Sequence, residues 1–92
     1  MIRKLKYCPY GQAHVETDGT LTLYSYTTAV IRVTPAGWLS CTGLYSATTR
    51  RHIGYFLREY YPFLSYHDVK RIYENNQEFN VLTGEIREKG VS

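Results

Sequence analysis

The segment 45–60 constrains the fold more than any other part of the sequence. It opens with hydroxyl side chains and continues with apolar residues at helical spacing. An α-helix has about 3.6 residues per turn, so residues three and four positions apart share a face. The pattern predicts a helix over 47–60, capped by Ser46 or Thr48 and ended by Pro62. The face predicted to pack on the core carries Thr49, Ile53, Phe56, Leu57 and Tyr60.

A second helix is predicted to begin after Ser65, which stands three residues before Asp68. This is the spacing of a capping box, in which the serine hydroxyl accepts one backbone N–H and the acidic side chain accepts that of the capping residue. Asn75 and Asn76 end the helical pattern. The residues predicted to face the core are Val69, Ile72 and Tyr73.

Residues 1–44 carry the signals of a β-sheet. The dipeptide Asp18-Gly19 is a strong hairpin signal between two segments of strand-like composition. The β-branched segment 29–33 is predicted to be the central strand. Near the N-terminus, the segment 5–7 predicts a short edge strand that ends at Pro9.

The sequence therefore predicts a single α+β domain. An antiparallel sheet of three to four strands is followed by two helices that pack on one face of it. Residues 1–44 are mainly β, 45–77 form the two helices, 78–84 form a short last strand and 85–92 form a frayed tail. The residues predicted to meet in one core are Ile53, Phe56, Leu57, Val69, Ile72 and Trp38.

Composition narrows the class of protein. The chain has 92 residues, of which 43% are hydrophobic and 21% charged, as expected for one globular domain rather than a disordered segment. Its net charge of +3 argues against an acidic mimic of DNA. Ten residues are tyrosine, which suits half-buried strands and interfaces equally well.

Cysteine and histidine positions favour neither a disulfide scaffold nor a metal site. Cys8 and Cys41 are far apart, and the histidines at 14, 52 and 67 are scattered. The sequence shows neither a membrane-spanning apolar run nor a secretory signal. We expect a cytoplasmic protein with free thiols and without a cofactor or a bound metal. A disulfide between Cys8 and Cys41 is the alternative.

Candidate binding residues lie on the outward side of the first predicted helix. Arg51, Tyr55 and Arg58 recur at i, i+4 and i+7, and we call these three the basic ridge. Arg50 and His52 flank it. Two guanidinium groups around an aromatic ring can bind phosphates and stack on a base. The alternative interpretation is an ordinary solvated helix face.

The N-terminus of the same helix is a second candidate contact. Ser46 and Thr48 lie near backbone N–H groups that have no helical partner and favour an anion, while Arg50 and Arg51 would add positive charge. The alternative is capping alone. Gly54 lies on the outward side, where a mid-helix glycine costs about 1 kcal/mol and often marks a close approach of a ligand or another backbone.

His52 is also the candidate for acid–base catalysis, with Cys41 or Tyr60 as a nucleophile. Such a pair must be in hydrogen-bond contact, and the sequence shows neither that contact nor a carboxylate cluster. We therefore predict that the protein is not an enzyme. The alternative is a small toxin-type ribonuclease that uses His52 as acid or base and arginines to hold phosphate.

Two sequence blocks resemble those of a known family, namely SYxTxVI at 25–31 and YSxTTxRHIxxFL at 45–57. They are similar to small uncharacterised proteins encoded by phages, plasmids and other mobile elements of Gram-positive bacteria. The resemblance spans about 24–61, and Arg50 stands where members of that family often carry serine. It implies a mobile-element setting and no catalytic residues.

That setting favours a non-enzymatic binding protein that acts in the cytoplasm of a bacterial host. We expect its first helix to dock on a nucleic acid or on a host nucleoprotein defence complex, as an anti-CRISPR-like inhibitor would. The remaining alternative is a structural homodimer that forms through the tyrosine-rich strands.

Overall fold

The computed structural model describes residues 1–8, 12–44 and 46–89, which form an antiparallel sheet and two helices. The α+β prediction is confirmed, but the described residues contain seven strands rather than three or four. The elements are β1 (Ile2–Lys4), β2 (Ala13–Thr17), β3 (Leu21–Ser25), β4 (Thr28–Val33), β5 (Trp38–Cys41), α1 (Ala47–Tyr60), α2 (Tyr66–Glu74), β6 (Gln77–Asn80) and β7 (Ile86–Glu88).

The strands lie side by side in chain order, from β1 at one edge to β7 at the other, and each neighbouring pair is antiparallel. The two helices interrupt this meander between β5 and β6, which nevertheless pair with each other. α1 packs on β3 and β4, whereas α2 packs on β5 and β6. The helices also contact each other, so they cover neighbouring parts of the sheet.

Two short strands differ from the sequence prediction. β7 lies inside the expected frayed tail, where Ile86 pairs with Phe79 of β6. β1 lies before the expected edge strand at 5–7 and pairs with β2. Short strands of ordinary composition depend on pairing with their neighbours rather than on their own propensity, so local sequence does not reveal them. Pro9 and residues 90–92 of the expected tail lie outside the described residues.

The β3–β4 pair contains a β-bulge near the turn that joins the two strands. Leu23 pairs with Ile31, and the residue after Leu23 pairs with Ala29. Val30 is therefore an extra residue in β4, and it is fully buried together with Ile31. A bulge changes the direction of side chains locally. Beyond it, Ser25 at the end of β3 is buried against α1.

Both helices begin and end where the sequence predicts. At the start of α1, Ser46 Oγ accepts the N–H of Thr49 at 3.3 Å. At the start of α2, Ser65 N–H donates to Asp68 Oδ2 at 2.8 Å, and Asp68 N–H donates to Ser65 Oγ at 3.3 Å. The bond from the Ser65 backbone lowers the pKa of the Asp68 carboxyl group. Neither described helix is long and apolar enough to cross a membrane.

The core lies between the helices and one face of the sheet, and it includes the five helix residues that the sequence predicts for it. The buried apolar side chains are Leu5, Ala13, Val15, Leu23, Val30, Ile31, Val33, Leu39, Cys41, Ile53, Phe56, Leu57, Val69 and Ile72.

Two residues expected in the core lie outside it. Side chains alternate along β5, so Leu39 and Cys41 face the helices and Trp38 lies on the opposite side of the sheet. There the guanidinium carbon of Arg87 lies 3.9 Å from the centroid of the Trp38 ring. Tyr73 is 38% exposed, because α2 meets the sheet through a narrow stripe that Val69 and Ile72 already fill.

Candidate functional site

A pocket of about 280 Å³ opens beside the first turns of α1, next to the β3–β4 turn. It brings together residues from α1, from the β3–β4 turn and from the segments around β2. Four of the seven predicted site residues line it, and three of the lining residues were not predicted. The lining residues are Cys8, Gln12, Tyr26, Thr48, Arg51, His52 and Tyr55.

A buried chain of polar side chains supports the pocket from below. His52 Nδ1 lies 2.7 Å from Ser25 Oγ, which links α1 to the end of β3. Ser25 Oγ lies 3.5 Å from Thr49 Oγ1, and that hydroxyl lies 3.3 Å from Ser46 Oγ. The side chain that caps α1 is therefore connected, through two hydroxyl groups, to the imidazole that lines the pocket.

The sequence pattern predicted His52 on the outward side of α1, but the structure places its side chain toward the sheet. Its side chain is 2% exposed. Positions 49, 52, 53 and 56 follow the i, i+3, i+4, i+7 pattern, so the helical period itself places His52 toward the sheet. Burial lowers the pKa of the His52 imidazole below its ordinary value of 6.5. Burial therefore favours the neutral form of the ring.

Tyr26 forms one side of the pocket and was not among the predicted site residues. Its ring centroid lies 5.7 Å from that of His52, with an edge-on angle of 61° between the rings. Its backbone N–H donates to the Gln12 carbonyl at 2.8 Å. The side chain is 53% exposed, so much of the ring remains accessible to a ligand. No periodic pattern points to this residue, because it lies in a turn.

The basic ridge is present, and the structure extends it. Arg51 and Arg58 are exposed, and Tyr55 between them is half-buried. The guanidinium carbon of Arg58 lies 4.2 Å from the centroid of the Tyr7 ring. Lys6 Nζ lies 5.5 Å from the same centroid. Arg58 is thus held against an aromatic ring, and Tyr7 and Lys6 continue the ridge toward β1.

Two predicted residues contribute to this surface less directly. Arg50 does not line the pocket, and its guanidinium carbon lies 5.1 Å from the centroid of the Tyr66 ring on α2. Ser46 is exposed and serves as the helix cap. A Cβ added at Gly54 would meet no atom within 4 Å, so no part of the described chain approaches this glycine closely. The helix surface beside the ridge is therefore open.

The catalytic pairs considered from the sequence are not assembled. The hydrogen-bond partner of His52 is Ser25, and the Cys41 thiol donates to the Gly43 carbonyl at 3.4 Å. Burial raises the pKa of the Cys41 thiol and of the Tyr60 hydroxyl. Cys8 and Cys41 are both free, so they form no disulfide with each other. Within the described ranges, no group of three or more His, Cys, Asp or Glu residues could hold a metal ion.

The sequence blocks at 25–31 and 45–57 meet in this site. Ser25 and Tyr26 belong to the first block, whereas Thr48, Thr49 and His52 belong to the second. The contact between Ser25 and His52 joins the blocks directly. Tyr45, which opens the second block, lies outside the described residues.

A family of unknown function, DUF8033, matches residues 4–75 of the chain. The matched region contains both helices, β2 to β5 and every residue that lines the pocket. No curated protein and no solved structure matches the chain.

Proposed function

We propose that this chain, which belongs to the DUF8033 family of unknown function, is a non-enzymatic protein that binds a nucleic acid strand. The strand is either free or part of a host nucleoprotein defence complex. The contact surface is the outward side of α1, where the basic ridge borders the pocket. One observation carries the proposal, namely that Arg51 and Tyr55 belong both to the exposed ridge and to the pocket lining.

The ridge has the chemistry that a phosphate backbone requires. Arg51 and Arg58 are exposed cations on one helix face, and Lys6 extends the positive charge. The nearby carboxylate of Glu59 is engaged elsewhere, since it accepts the Lys6 backbone N–H at 2.6 Å and pairs with Arg3 at 3.4 Å. Guanidinium groups bind phosphate oxygens through charge-assisted hydrogen bonds, which gives affinity without sequence preference.

Tyr55 adds a stacking surface to these charges. Proteins that bind single strands alternate basic groups with aromatic rings, because every base offers a π-face. Arg58 is already positioned over the Tyr7 ring, which reduces the conformational freedom that the guanidinium group would lose on binding. The arrangement therefore favours a single strand over a duplex.

The biological setting belongs to the same proposal. The resemblance to proteins of mobile elements favours a role in the cytoplasm of a bacterial host. A small protein with a basic, aromatic face could bind the nucleic acid strand of a defence complex and so inhibit that complex, as an anti-CRISPR-like protein would. In this proposal, the part of the defence complex that contacts the protein is its nucleic acid strand and not an apolar groove.

The test is a binding titration of the triple variant Arg51→Ala, Tyr55→Ala and Arg58→Ala with single-stranded oligonucleotides at several salt concentrations. We expect weaker binding and a slope of log affinity against log salt that is shallower by about one unit for each lost phosphate contact. The matched control is Arg32→Ala, Lys70→Ala and Tyr73→Ala, which removes the same side-chain charges and one tyrosine from exposed positions elsewhere. Equal losses in both variants would mean that net charge alone matters, and this would contradict the proposed surface.

A nuclease is the second candidate, because the His52 imidazole lines the pocket and is held by a 2.7 Å hydrogen bond to Ser25. A neutral imidazole beside Arg51 could act as a general base near a phosphate. Incubation of the purified protein with labelled RNA and DNA separates the two functions. Cleavage that disappears in His52→Gln would replace the binding proposal with a catalytic one.

A further inference from the structure

Tyr26 has a backbone conformation that a tyrosine disfavours. Its φ angle is 56°, in the left-handed region. It is the first central residue of the two-residue β3–β4 turn, since Ser25 pairs with Thr28. Hairpin turns usually place glycine, asparagine or aspartate at such positions, because a larger side chain is strained there. At another described residue with positive φ, directly after the C-terminal end of α2, the chain carries asparagine, namely Asn76 with φ 55°.

The strained turn holds the Tyr26 ring at the edge of the pocket. The ring contacts His52 edge-on, yet the side chain is 53% exposed, so core packing does not account for it. The hydrogen bond from the Tyr26 backbone to Gln12 fixes the turn. Strained residues of this kind persist where the surrounding structure enforces them, and they concentrate at ligand sites. The conformation points to contact between the ring and a ligand.

The remaining lining residues narrow the chemistry of that ligand. Tyr55 supplies a second aromatic side chain, and Thr48, Gln12 and His52 supply hydrogen-bonding groups. Because Ser25 engages Nδ1 of His52, Nε2 is the ring nitrogen that a ligand could use. The volume of about 280 Å³ lies at the lower end of the range for small-molecule pockets. These features suit one flat heterocycle with polar edges.

We infer that the pocket binds one unpaired nucleobase of the strand, with Tyr26 and Tyr55 as stacking surfaces and Arg51 at the adjoining phosphate. Gln12, Thr48 and His52 form hydrogen bonds with the edge of the base. This inference rests on the proposed function, and it adds that one base of the strand is bound inside the pocket against Tyr26. It also explains why the β3–β4 turn carries tyrosine where glycine or asparagine would fit the backbone better.

The test compares a short single-stranded oligonucleotide with a fully abasic phosphodiester chain of the same length. Both probes carry the same phosphates, but only one carries bases. We expect the abasic chain to bind roughly 5- to 150-fold more weakly, the range that corresponds to loss of one stacked base. Nucleoside monophosphates and inorganic phosphate serve as small probes of the pocket, and only the former should bind.

The informative variant is Tyr26→Asn, which removes the ring and keeps a residue that tolerates positive φ. We expect it to reduce affinity for the oligonucleotide by a similar factor and to leave affinity for the abasic chain unchanged. Its melting temperature should stay at or above that of the original protein, because backbone strain is relieved. Tyr73→Asn, on the exposed side of α2, is the matched control and should change neither affinity.

The outcomes separate this inference from the proposed function. An affinity for the oligonucleotide that is unchanged in Tyr26→Asn but weakened in the ridge variant would overturn the inference and keep the proposed function. Binding of nucleoside monophosphates that is lost in Tyr26→Asn, without binding of any polymer, would support the inference and overturn the proposed function. Absence of binding to every probe would overturn both.

Discussion

The two helices begin in the same way but bury different chemistry. α1 and α2 each start after a serine whose hydroxyl accepts a backbone N–H of the first turn. α2 contributes only Val69 and Ile72 to the buried region. α1 contributes three apolar side chains and, in its first two turns, the polar side chains of Thr49 and His52. Only α1 places polar groups between itself and the sheet.

This difference supports the proposal that the start of α1 serves more than the fold. Burial of polar groups costs free energy unless their hydrogen bonds are satisfied, and the apolar stripe of α2 shows that a helix can dock on this sheet without them. The polar chain in α1 ends at His52, and His52 lines the pocket. We interpret α2 as a structural helix and the start of α1 as the part shaped for a ligand.

The substitution with the largest expected effect tests whether α1 packs firmly on the sheet despite the buried polar side chains in its first two turns. Phe56 is fully buried and packs with Tyr60 and Tyr61, with ring centroids 5.1 and 5.8 Å away. Phe56→Ala should reduce the free energy of unfolding by about 3–5 kcal/mol, because it removes a large side chain and leaves a cavity. Chemical denaturation measures the change. An unchanged denaturation midpoint would show that the packing of Phe56 contributes little to the stability of the core.

The next effect concerns the polar chain itself. Ser25→Ala removes the hydrogen-bond partner of His52 Nδ1 and should cost about 1–3 kcal/mol, because a buried polar group then loses its partner. Ser40→Ala on β5, where the side chain is half-buried, is the control and should change stability by less than about 0.5 kcal/mol. If both variants melt at the temperature of the original protein, the polar chain has no role in positioning His52.

A smaller effect is expected at the start of α2. Ser65→Ala removes one half of the capping box and should destabilise the protein by about 1 kcal/mol, whereas Ser65→Asn should retain the cap. Thermal denaturation measures both variants. Neither should alter binding to an oligonucleotide, because α2 does not line the pocket. A loss of affinity in Ser65→Ala would contradict the interpretation of α2 as a structural helix.

The smallest effect is a dependence of stability on pH that differs between the helices. Burial lowers the pKa of His52, so below pH 6.5 the unfolded chain takes up a proton that the folded protein does not, and stability falls. The Asp68 carboxyl group, whose pKa is lowered from 3.8, loses its stabilising contribution only as the pH falls below that value. His52→Gln should flatten the pH dependence of stability in the upper part of this range, and an unchanged curve in that variant would contradict the assignment to His52.

The sequence alone was sufficient for the parts of the fold that rest on local chemistry. Serine caps, helical spacing and Pro62 predicted both helices, and Asp18-Gly19 predicted the β2–β3 hairpin, in which Gly19 has a φ of 98°. Alternation along β5 also contained the information that Trp38 faces away from the helices. In the same way, the i, i+3, i+4 spacing contained the burial of His52, although its arginine neighbours favoured an exposed position.

Other features depend on contacts that no local pattern contains. The bond between Ser25 and His52 joins residues far apart in the chain. The stacking of Arg58 on Tyr7 also arises only after the N-terminal segment and α1 have come together. For the site, the sequence could therefore name Thr48, Arg51, His52 and Tyr55 but not their common pocket.

The position of the helices within the meander has a consequence for how the chain folds. Strand pairs other than β5 with β6 join neighbours along the chain, and each needs only a short loop to close. The pairing of Trp38 with Asn80 must wait until the whole helical segment has been brought back to the sheet. We therefore expect β2 to β4 to form early and β6–β7 to join last, which pulsed hydrogen exchange would resolve as late protection of β6. The pocket draws on α1, the β3–β4 turn and the segment between β1 and β2, so it would be completed before the far edge of the sheet closes.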